Sequence, residues 1–243
     1  MEVPQSIQMC DRSFPLIIRR RNGHNLRLRV NLENQVVVSV PWHCSDQKAL
    51  SFVAEKIGWL EKKLSVTPKI SGIGEWLNEQ PYLSADGQRF CVRLQSAVGS
   101  RASYTFDQEK AEIILRLPEG DPLPEGTLLK LVRRFAGDAL NYRLNDHARR
   151  LGLTVRRATV RNQASRWGSC TVKGSISLNW RLVLLEPELQ DYVILHELAH
   201  LEEMNHSARF WALLDTYDPE RRAHEAELNA IAGTIMRVGR CAW

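Results

Sequence analysis

Two histidines spaced four positions apart, His196 and His200, most constrain how this chain can fold. In an α-helix, residues four apart project from the same face, about one turn from each other. On such a helix Ile194, Leu198 and Leu201 fall roughly opposite the two imidazoles. The segment therefore predicts a helix that buries one side in a core and presents two metal-binding nitrogens to a cleft on the other.

A glutamate beside the histidines adds chemistry to this pair. Glu197 lies on the shoulder of the histidine face, within five residues that read HELAH. Zinc bound by three protein side chains keeps a fourth position for water, and a neighbouring carboxylate can take the proton of that water. The spacing His-Glu-x-x-His recurs in zinc hydrolases for this reason. We therefore predict that Glu197 is a catalytic base.

The third ligand must come from elsewhere in the chain, and His206 is the first candidate. If the helix continued unbroken, His206 would point away from His200, so the chain must turn between them. Asn205 tolerates a left-handed conformation, and Ser207 is a suitable N-cap for the next helix. Three imidazoles suit zinc better than magnesium or calcium, so one zinc ion per chain is expected. The alternatives for the third ligand lie in the last helix: His224, Glu225 and Glu227.

Length and composition are those of a packed globular protein, with 243 residues of which 44% are hydrophobic and 25% charged. No run of 18 or more apolar residues is present, and the first residues lack the basic and apolar regions of a signal peptide. We therefore expect a cytoplasmic protein without a membrane span.

The five cysteines are Cys10, Cys44, Cys91, Cys170 and Cys241. They form no CxxC pair, which favours reduced thiols over disulfides or a cysteine zinc site.

The N-terminal part of the chain has the pattern of β-strands. From residue 16 to residue 40 the sequence predicts a β-meander, with a tight turn at Asn22-Gly23. In the middle strand apolar residues alternate with Arg27 and Arg29, which predicts one buried face and one solvated face that carries the arginines. The formal charge of +5 and the basic segment 19–29 permit nucleic acid as a partner.

A helix and further strands follow the meander. The helix is capped by Ser45, has apolar residues at spacings of three and four, and should cover the meander. Strands are predicted at 88–95, 102–106 and 111–117. The segment 118–126 contains three prolines and two glycines, which makes it the predicted linker. It would separate a β-rich N-terminal region, 1–122, from a second domain, 123–243.

The second domain is predicted to begin with a long helix, 127–152, followed by two strands, 154–161 and 174–182. The helix of the histidines starts near Pro187. Two more helices, at about 207–216 and 219–237, complete the chain. No internal repeat is visible in the sequence. Together these elements predict the α+β class.

Four stretches of this half resemble the YgjP-like metallopeptidase family, a relative of the SprT-like zinc proteases within the zincin group. They are RWGSC at 166–170, SISLNWRL at 175–182, DYVILHELAHL at 191–201 and NHSARFW at 205–211. The resemblance extends to the N-terminal strands and implies a β-rich region followed by a compact zincin-like domain that hydrolyses peptide bonds in peptides or proteins. It assigns the zinc ligands to His196, His200 and His206. It assigns the catalytic base to Glu197.

Some roles stay open in the sequence. A second donor to the oxyanion is sought among Arg166, Tyr217 and His224. Arg166 is equally suited to a structural ion pair. By analogy with zincins, 174–180 or the preceding strand would be an edge strand to which an extended peptide adds. Cys170 is either a fourth, inhibitory zinc ligand or a buried small thiol.

Two further functions compete with that of a zinc metallopeptidase. The similarity to SprT-like proteases and the basic N-terminal strands suggest a DNA-associated protease that acts on DNA-bound proteins. The other alternative is a non-catalytic binding module that zinc stabilises. Replacement of Glu197 by Gln separates an enzyme from such a module, because only the enzyme would lose turnover.

Overall fold

The computed structural model describes residues 6–9, 12–98, 101–120 and 124–240. It contains two compact units, which are Met1–Ser71 with Arg240–Trp243, and Gly72–Gly239. The predicted α+β class and the strand-rich N-terminal region are confirmed. The sequence predicts a domain boundary after residue 122, but the second unit extends across it. The strands before this boundary and the helix after it share one hydrophobic core. Residues 121–123 of the predicted linker lie outside the described residues, as do Cys10 and Cys241.

The first unit contains a four-stranded mixed sheet with the order β1-β2-β4-β3, and two helices. Its elements are β1 (Ser6–Met9), β2 (Arg12–Arg21), β3 (Arg27–Val30), β4 (Val36–Pro41), α1 (Asp46–Glu55) and α2 (Ile57–Ser65). The predicted meander is wrong, because β2 pairs in parallel with β4 while β3 pairs antiparallel with β4. Residues 36–38 are fully buried, and a continuous apolar strand of this kind belongs in the middle of a sheet. The burial of β4 therefore outweighs the local hairpin signal at Asn22-Gly23.

The two faces of this sheet differ as the alternation in β3 predicts. Leu28 and Val30 pack against the hydrophobic core of the unit, whereas Arg27 and Arg29 are exposed on the opposite face. Arg19 on β2 shares the face of Arg27, because both residues are in register with Ser39 of β4. We call Arg19, Arg27 and Arg29 the arginine face.

Ser45 caps α1 as predicted, and its hydroxyl oxygen accepts a hydrogen bond from the backbone N–H of Lys48 at 3.2 Å. The single helix that the sequence predicts is interrupted at Lys56, which lies between α1 and α2 with non-helical backbone angles. Val53 of α1 and Leu60 of α2 are both buried. Both helices therefore cover the sheet, as expected for the predicted apolar stripe.

The sheet of the second unit repeats the topology of the first. Its strands follow the order β5-β6-β8-β7, and as in the first sheet the outer pairs are antiparallel and the middle pair is parallel. The elements are α3 (Ile73–Glu79), β5 (Tyr82–Ala85), β6 (Gln88–Ala97), β7 (Ser103–Asp107) and β8 (Glu112–Pro118). Strands β6, β7 and β8 confirm the strands predicted at 88–95, 102–106 and 111–117. The repeat is thus present in the pairing pattern, although it is not visible in the residues.

The rest of the second unit surrounds a small sheet with helices. Its elements are α4 (Pro124–Arg150), β9 (Arg157–Arg161), β10 (Gly168–Cys170), β11 (Ser175–Asn179), a 3₁₀ helix (Trp180–Leu184), α5 (Pro187–Ala199), α6 (Ala208–Tyr217) and α7 (Arg221–Ile235). The sheet has the order β10-β11-β9, so β10 is an edge strand. One hydrophobic core joins α4, α5 and the second four-stranded sheet. In the described part of the chain, no helix is long and apolar enough to cross a membrane.

Candidate metal centre

The helix that carries the histidines, α5, is held at its N-terminal half by buried polar contacts. Pro187 occupies its first turn, where the missing N–H leaves no intrahelical bond unmade. Asp191 accepts two hydrogen bonds from the guanidinium of Arg143 on α4. The Gln190 amide donates to one carbonyl of β5 and one of the 3₁₀ helix, each at 3.2 Å. These contacts fix the position of α5 in the core and hence the direction of its side chains.

The expectation that α5 has one buried and one open side is corrected by the structure. Helices α4, α6 and α7 and strand β10 all contact α5, and most of its residues are buried. His196 is partly exposed, and it lies where the packing opens. A helix buried on nearly all sides need not show a strong amphipathic pattern, which explains why the periodicity argument overstated the open side.

Three histidine side chains converge at the C-terminal end of α5. Ligand atoms of His196, His200 and His206 all lie within 4.8 Å of one another, and His196 Nε2 lies 3.1 Å from His206 Nε2. The helix ends at Ala199, and the chain turns before Ser207, whose hydroxyl oxygen accepts a hydrogen bond from the first turn of α6. The predicted break between the histidines is therefore present.

The turn does not use a left-handed residue at Asn205, in contrast to the prediction. The positive φ angles of described non-glycine residues occur elsewhere in the chain. Instead, the backbone N–H of Leu201 bonds to Leu198 and the N–H groups of Glu202 and Glu203 bond to Ala199. These short-range hydrogen bonds end the helix and direct the following residues back toward the histidines.

Hydrogen bonding and ring packing orient the imidazoles. The Nδ1–H of His200 donates to the backbone carbonyl of Glu203 at 3.0 Å, which leaves Nε2 with its lone pair for a metal. The rings of His200 and Phe210 stack at 4.5 Å, and those of His206 and Trp211 at 5.4 Å. The residues between 200 and 211 therefore preorganise the side chains that the sequence predicts as ligands.

The protonation states suit metal binding. Burial, together with the neighbouring histidines, lowers the pKa of His196 to about 4. Burial also lowers the pKa of His200. Both imidazoles are thus neutral at pH 7, which is the form that binds a metal. Three imidazole nitrogens close enough to share one ion fit a divalent cation of the zinc type.

Glu197 is a buried carboxylate beside these rings. The residue is 6% exposed, and its Oε2 atom is buried without a hydrogen-bond partner in the described structure. Burial raises the pKa of Glu197 to about 8, and the positive charge of Arg166 opposes this effect. An unpartnered buried carboxylate is costly unless a cation or a water molecule satisfies it. This feature is a second indication that the site accommodates a cation.

Gly168 provides the space for Glu197, and the sequence reasoning did not identify it. A Cβ atom on Gly168 would lie 2.5 Å from Glu197 Cγ and 2.5 Å from Glu197 Oε1. Real Cβ atoms essentially never make contacts this short, so a side chain at position 168 would displace the carboxylate. A glycine within a strand can mark such a close approach, and this signal is present in RWGSC. Only the structure shows what approaches it.

Strand β10 presents an open edge next to α5. The carbonyl of Trp167 and the N–H of Thr171 bond to the neighbouring chain segment of β11. In an antiparallel pair the bonded residues alternate, so Gly168 and Cys170 direct their backbone N–H and C=O groups to the open edge. Among the described residues, no strand pairs with this edge of β10.

The structure separates the remaining candidate residues. Arg166 lines a cavity together with Glu197, and so does Glu225. Tyr217 is engaged by Glu202, to which its hydroxyl donates, and His224 Nδ1 lies 2.7 Å from a carboxylate oxygen of Asp218. The alternative ligands His224, Glu225 and Glu227 do not belong to the convergent group of ligand atoms.

Cys170 carries a protonated thiol near the carboxylate of Glu197. Burial, and to a lesser extent the charge of Glu197, raises the pKa of Cys170 to about 11, so the thiol stays protonated at pH 7. Its sulfur is not among the ligand atoms that lie within 4.8 Å of one another. The geometry favours the partly buried thiol over the fourth ligand.

A comparison with known families decides the relationship of the chain. The model of the YgjP-like metallopeptidase domain matches residues 24–231, which is most of the sequence. The chain belongs to the YgjP-like metallopeptidase family. The resemblance that RWGSC and HELAH indicated is thereby confirmed. As a YgjP-like protein the chain is a metallopeptidase, a class that uses a divalent metal ion to hydrolyse peptide bonds.

Other comparisons add little to this assignment. Among solved structures, the YgjP-like chain is similar to the metallopeptidase zymogen abylysin of Pyrococcus abyssi, with 27% sequence identity. The match covers 39% of this chain and 94% of that chain, with a TM-score of 0.34, which supports no comparison of the two folds. No curated protein sequence matches the chain.

The Gly168→Ala variant is expected to lower kcat/KM on an unfolded protein substrate by about 10²-fold, because it would displace Glu197, the predicted base, and a shift of roughly 1 Å in such a group can cost this much. Kinetic assays and a thermal melt of the same preparation would measure the effect. The matched control is Gly137→Ala on α4, where a Cβ atom meets nothing within 4 Å. Unchanged kcat/KM in Gly168→Ala would show that the position of Glu197 does not depend on this glycine.

Proposed function

We propose that the protein is a zinc-dependent metallopeptidase in which His196, His200 and His206 hold the ion and Glu197 is the catalytic base. The observation that carries the proposal is the convergence of three imidazoles beside a buried, unpartnered carboxylate. Neutral imidazoles and the chemistry of the donor set support zinc. A peptidase assay on an unfolded protein, with zinc-loaded and metal-free protein and with Glu197→Gln, tests the proposal.

The metal ion and Glu197 have separate roles in the proposed reaction. When bound, zinc supplies Lewis acidity that lowers the pKa of water and polarises a carbonyl group. Glu197 takes the proton from the attacking water and passes it to the nitrogen of the leaving amine. Its burial makes the carboxylate more basic, and an ion held by the three histidines would favour its ionised form, because opposite charge favours the charged form. These two effects together suit a group that must both accept and return a proton.

The protein can position the peptide through β10. An extended substrate that pairs with the free backbone groups of Gly168 and Cys170 would lie along the edge of the sheet. Gly168 lies directly against the Glu197 side chain, so the paired peptide would pass next to the proposed base. Backbone pairing recognises no particular side chain, which is consistent with a substrate defined first by an extended, unfolded conformation.

Arg166 is the proposed second donor to the oxyanion. It lines the same cavity as Glu197 and is exposed, and it forms no ion pair among the described residues. Its positive charge lowers the pKa of Glu197 against the effect of burial, which supports a guanidinium close to the proposed base. A preorganised donor of this kind stabilises the charge that develops in the transition state. Tyr217 and His224 are engaged by Glu202 and Asp218 and are weaker candidates.

A second candidate function is protease activity on DNA-bound proteins, and the arginine face favours it. Arg19, Arg27 and Arg29 are exposed on one face of the first sheet. Lysines and arginines that neutralise phosphates make binding steeply dependent on salt. The arginine face is therefore proposed as a contact surface for duplex DNA.

The triple variant with Gln at positions 19, 27 and 29 is expected to reduce the salt slope of DNA binding by about 2 to 3, since each phosphate contact contributes about 0.9. Fluorescence anisotropy with a labelled duplex at several salt concentrations would measure it. Arg20→Gln is the control, because Arg20 is already paired with Asp46. A wild-type protein that binds no duplex at low salt would rule out this second function.

A further inference from the structure

A cavity of about 260 Å³ opens beside the catalytic glutamate, between α5, α7 and the residues that lead into β10. Its walls include Val193 on α5 and Leu228 on α7, which are buried, and Trp167 before β10, which is partly buried. His196 and Glu197 also line it, so the cavity is continuous with the proposed site. A substrate that lies along β10 would have room here for one large side chain.

The wall formed by α7 carries a carboxylate, Glu225, that forms a long ion pair with Arg221 but no hydrogen bond to it. Glu225 has 43% of its side chain exposed, and Arg221 Nη1 lies 3.7 Å from Glu225 Oε2. That distance is too long for a hydrogen bond. Arg221 is itself satisfied elsewhere, because its Nε donates to Asp215 and its guanidinium lies over the ring of Trp211. Glu225 therefore keeps its capacity to accept hydrogen bonds.

Glu225 lines the same cavity as the reacting side of α5. Tyr192 is a buried residue of the cavity wall, and its pKa is raised to about 12 by burial and then by the negative charge of Glu225. Glu225 and Tyr192 therefore line one cavity, and the charge of Glu225 lies at its wall. No other lining residue on α7 is charged, since the others are Leu228 and Asn229.

The positively charged residue of the cavity, Arg166, lies on a different wall from Glu225. Arg166 lines the cavity two residues before Gly168, which lies directly against the Glu197 side chain, whereas Glu225 lies on the wall of α7. The cavity is therefore polarised, with positive charge near the proposed base and negative charge at the far wall. A side chain with an apolar stem and a cationic end matches this order, because its stem can contact Val193 and Leu228.

We propose that this cavity binds the side chain of the substrate residue next to the scissile bond and selects lysine or arginine through Glu225. The inference rests on the proposed peptidase function and names the substrate class of the same site. A carboxylate that accepts from an ammonium or a guanidinium forms a charge-assisted hydrogen bond, which is stronger than a neutral one. Glu225 is thus a specificity residue and not a zinc ligand.

The first test is a cleavage profile of the zinc-loaded protein on a library of short peptides, read by mass spectrometry. We expect enrichment of lysine or arginine at one position adjacent to the cut. In Glu225→Gln the enrichment should fall about tenfold, equivalent to about 1.4 kcal/mol. In Glu225→Lys it should shift to acidic residues. The matched control is Glu227→Gln on the same helix, since Glu227 lines a different cavity and should leave the profile unchanged.

A binding measurement separates this inference from the proposed function. Glu197→Gln protein is titrated with two labelled peptides that differ only in arginine or norleucine at the selected position. Tighter binding of the arginine peptide by about tenfold, lost on adding Glu225→Gln, supports the inference even if no peptide is cut. Equal binding of the two peptides, or a wild-type profile that favours acidic or apolar residues, overturns it. Cleavage by wild type without basic selection overturns the inference and leaves the peptidase function standing.

Discussion

Glu197→Gln is expected to lower kcat/KM for peptide hydrolysis by about 10³-fold, in the middle of the range that general acid–base groups contribute. The amide has nearly the same shape as the carboxylate, so it fits above Gly168, but it cannot accept the proton of water. Metal content should not change, because the three histidines remain. Initial rates on a fluorogenic unfolded protein, measured beside elemental analysis of the same sample, give both quantities.

The matched control for this variant lies on the same helix. Glu188 is exposed in the first turn of α5, so Glu188→Gln changes the same functional group away from the site. Its activity should equal that of wild type. If Glu197→Gln retained full turnover, the assignment of the base would fail. If wild type had no turnover on any substrate while holding its zinc, the non-catalytic binding module would become the better explanation.

His206→Ala is expected to weaken zinc binding by at least about 100-fold, since even residues that only support metal ligands change affinity by 10- to 100-fold. His206 is exposed and lies in the turn between α5 and α6, so its removal leaves the hydrophobic core intact. Peptidase activity should fall with zinc occupancy. A competition titration with a chelating dye would give the affinity, and circular dichroism would confirm that the variant is folded.

His43→Ala is the control for this second variant. His43 is exposed in the first unit, so its loss should change neither the zinc content nor the activity. About one zinc per wild-type chain, sharply reduced in His206→Ala and unchanged in His43→Ala, is the expected pattern. Full zinc retention in His206→Ala would instead place the third ligand outside the turn, with Glu225 on α7 as the next residue to replace.

The sequence predicts those parts of the site that depend on local geometry. His196 and His200 are four residues apart on one helix, and the helical period alone brings them together. The position of His206 follows from one further step, the break before Ser207, whose capping role is confirmed. The prediction of the break was correct although its proposed cause at Asn205 was wrong, because several backbone conformations can end a helix.

Features that depend on distant parts of the chain could not be predicted in the same way. The contact of Gly168 with Glu197 joins two segments that lie far apart in sequence, and no periodicity relates them. The pairing of β2 with β4 was missed for a similar reason. The Asn22-Gly23 turn signal is local, whereas the central position of β4 is decided by burial on both of its faces. Composition and alternation indicate strands, but they do not determine which strands pair.

The two hydrophobic cores have a consequence for how the chain loses its structure. One core lies in the unit of β1–β4 and the other in the unit of β5–β8 and α4–α7, and each sheet completes its backbone pairing within its own unit. Because cooperativity requires that residues share packing, we expect each core to melt as its own cooperative block. Two thermal transitions are then expected, and a single melting temperature would have no unique thermodynamic meaning. Peptidase activity should be lost with the transition of the second unit, which contains the proposed site.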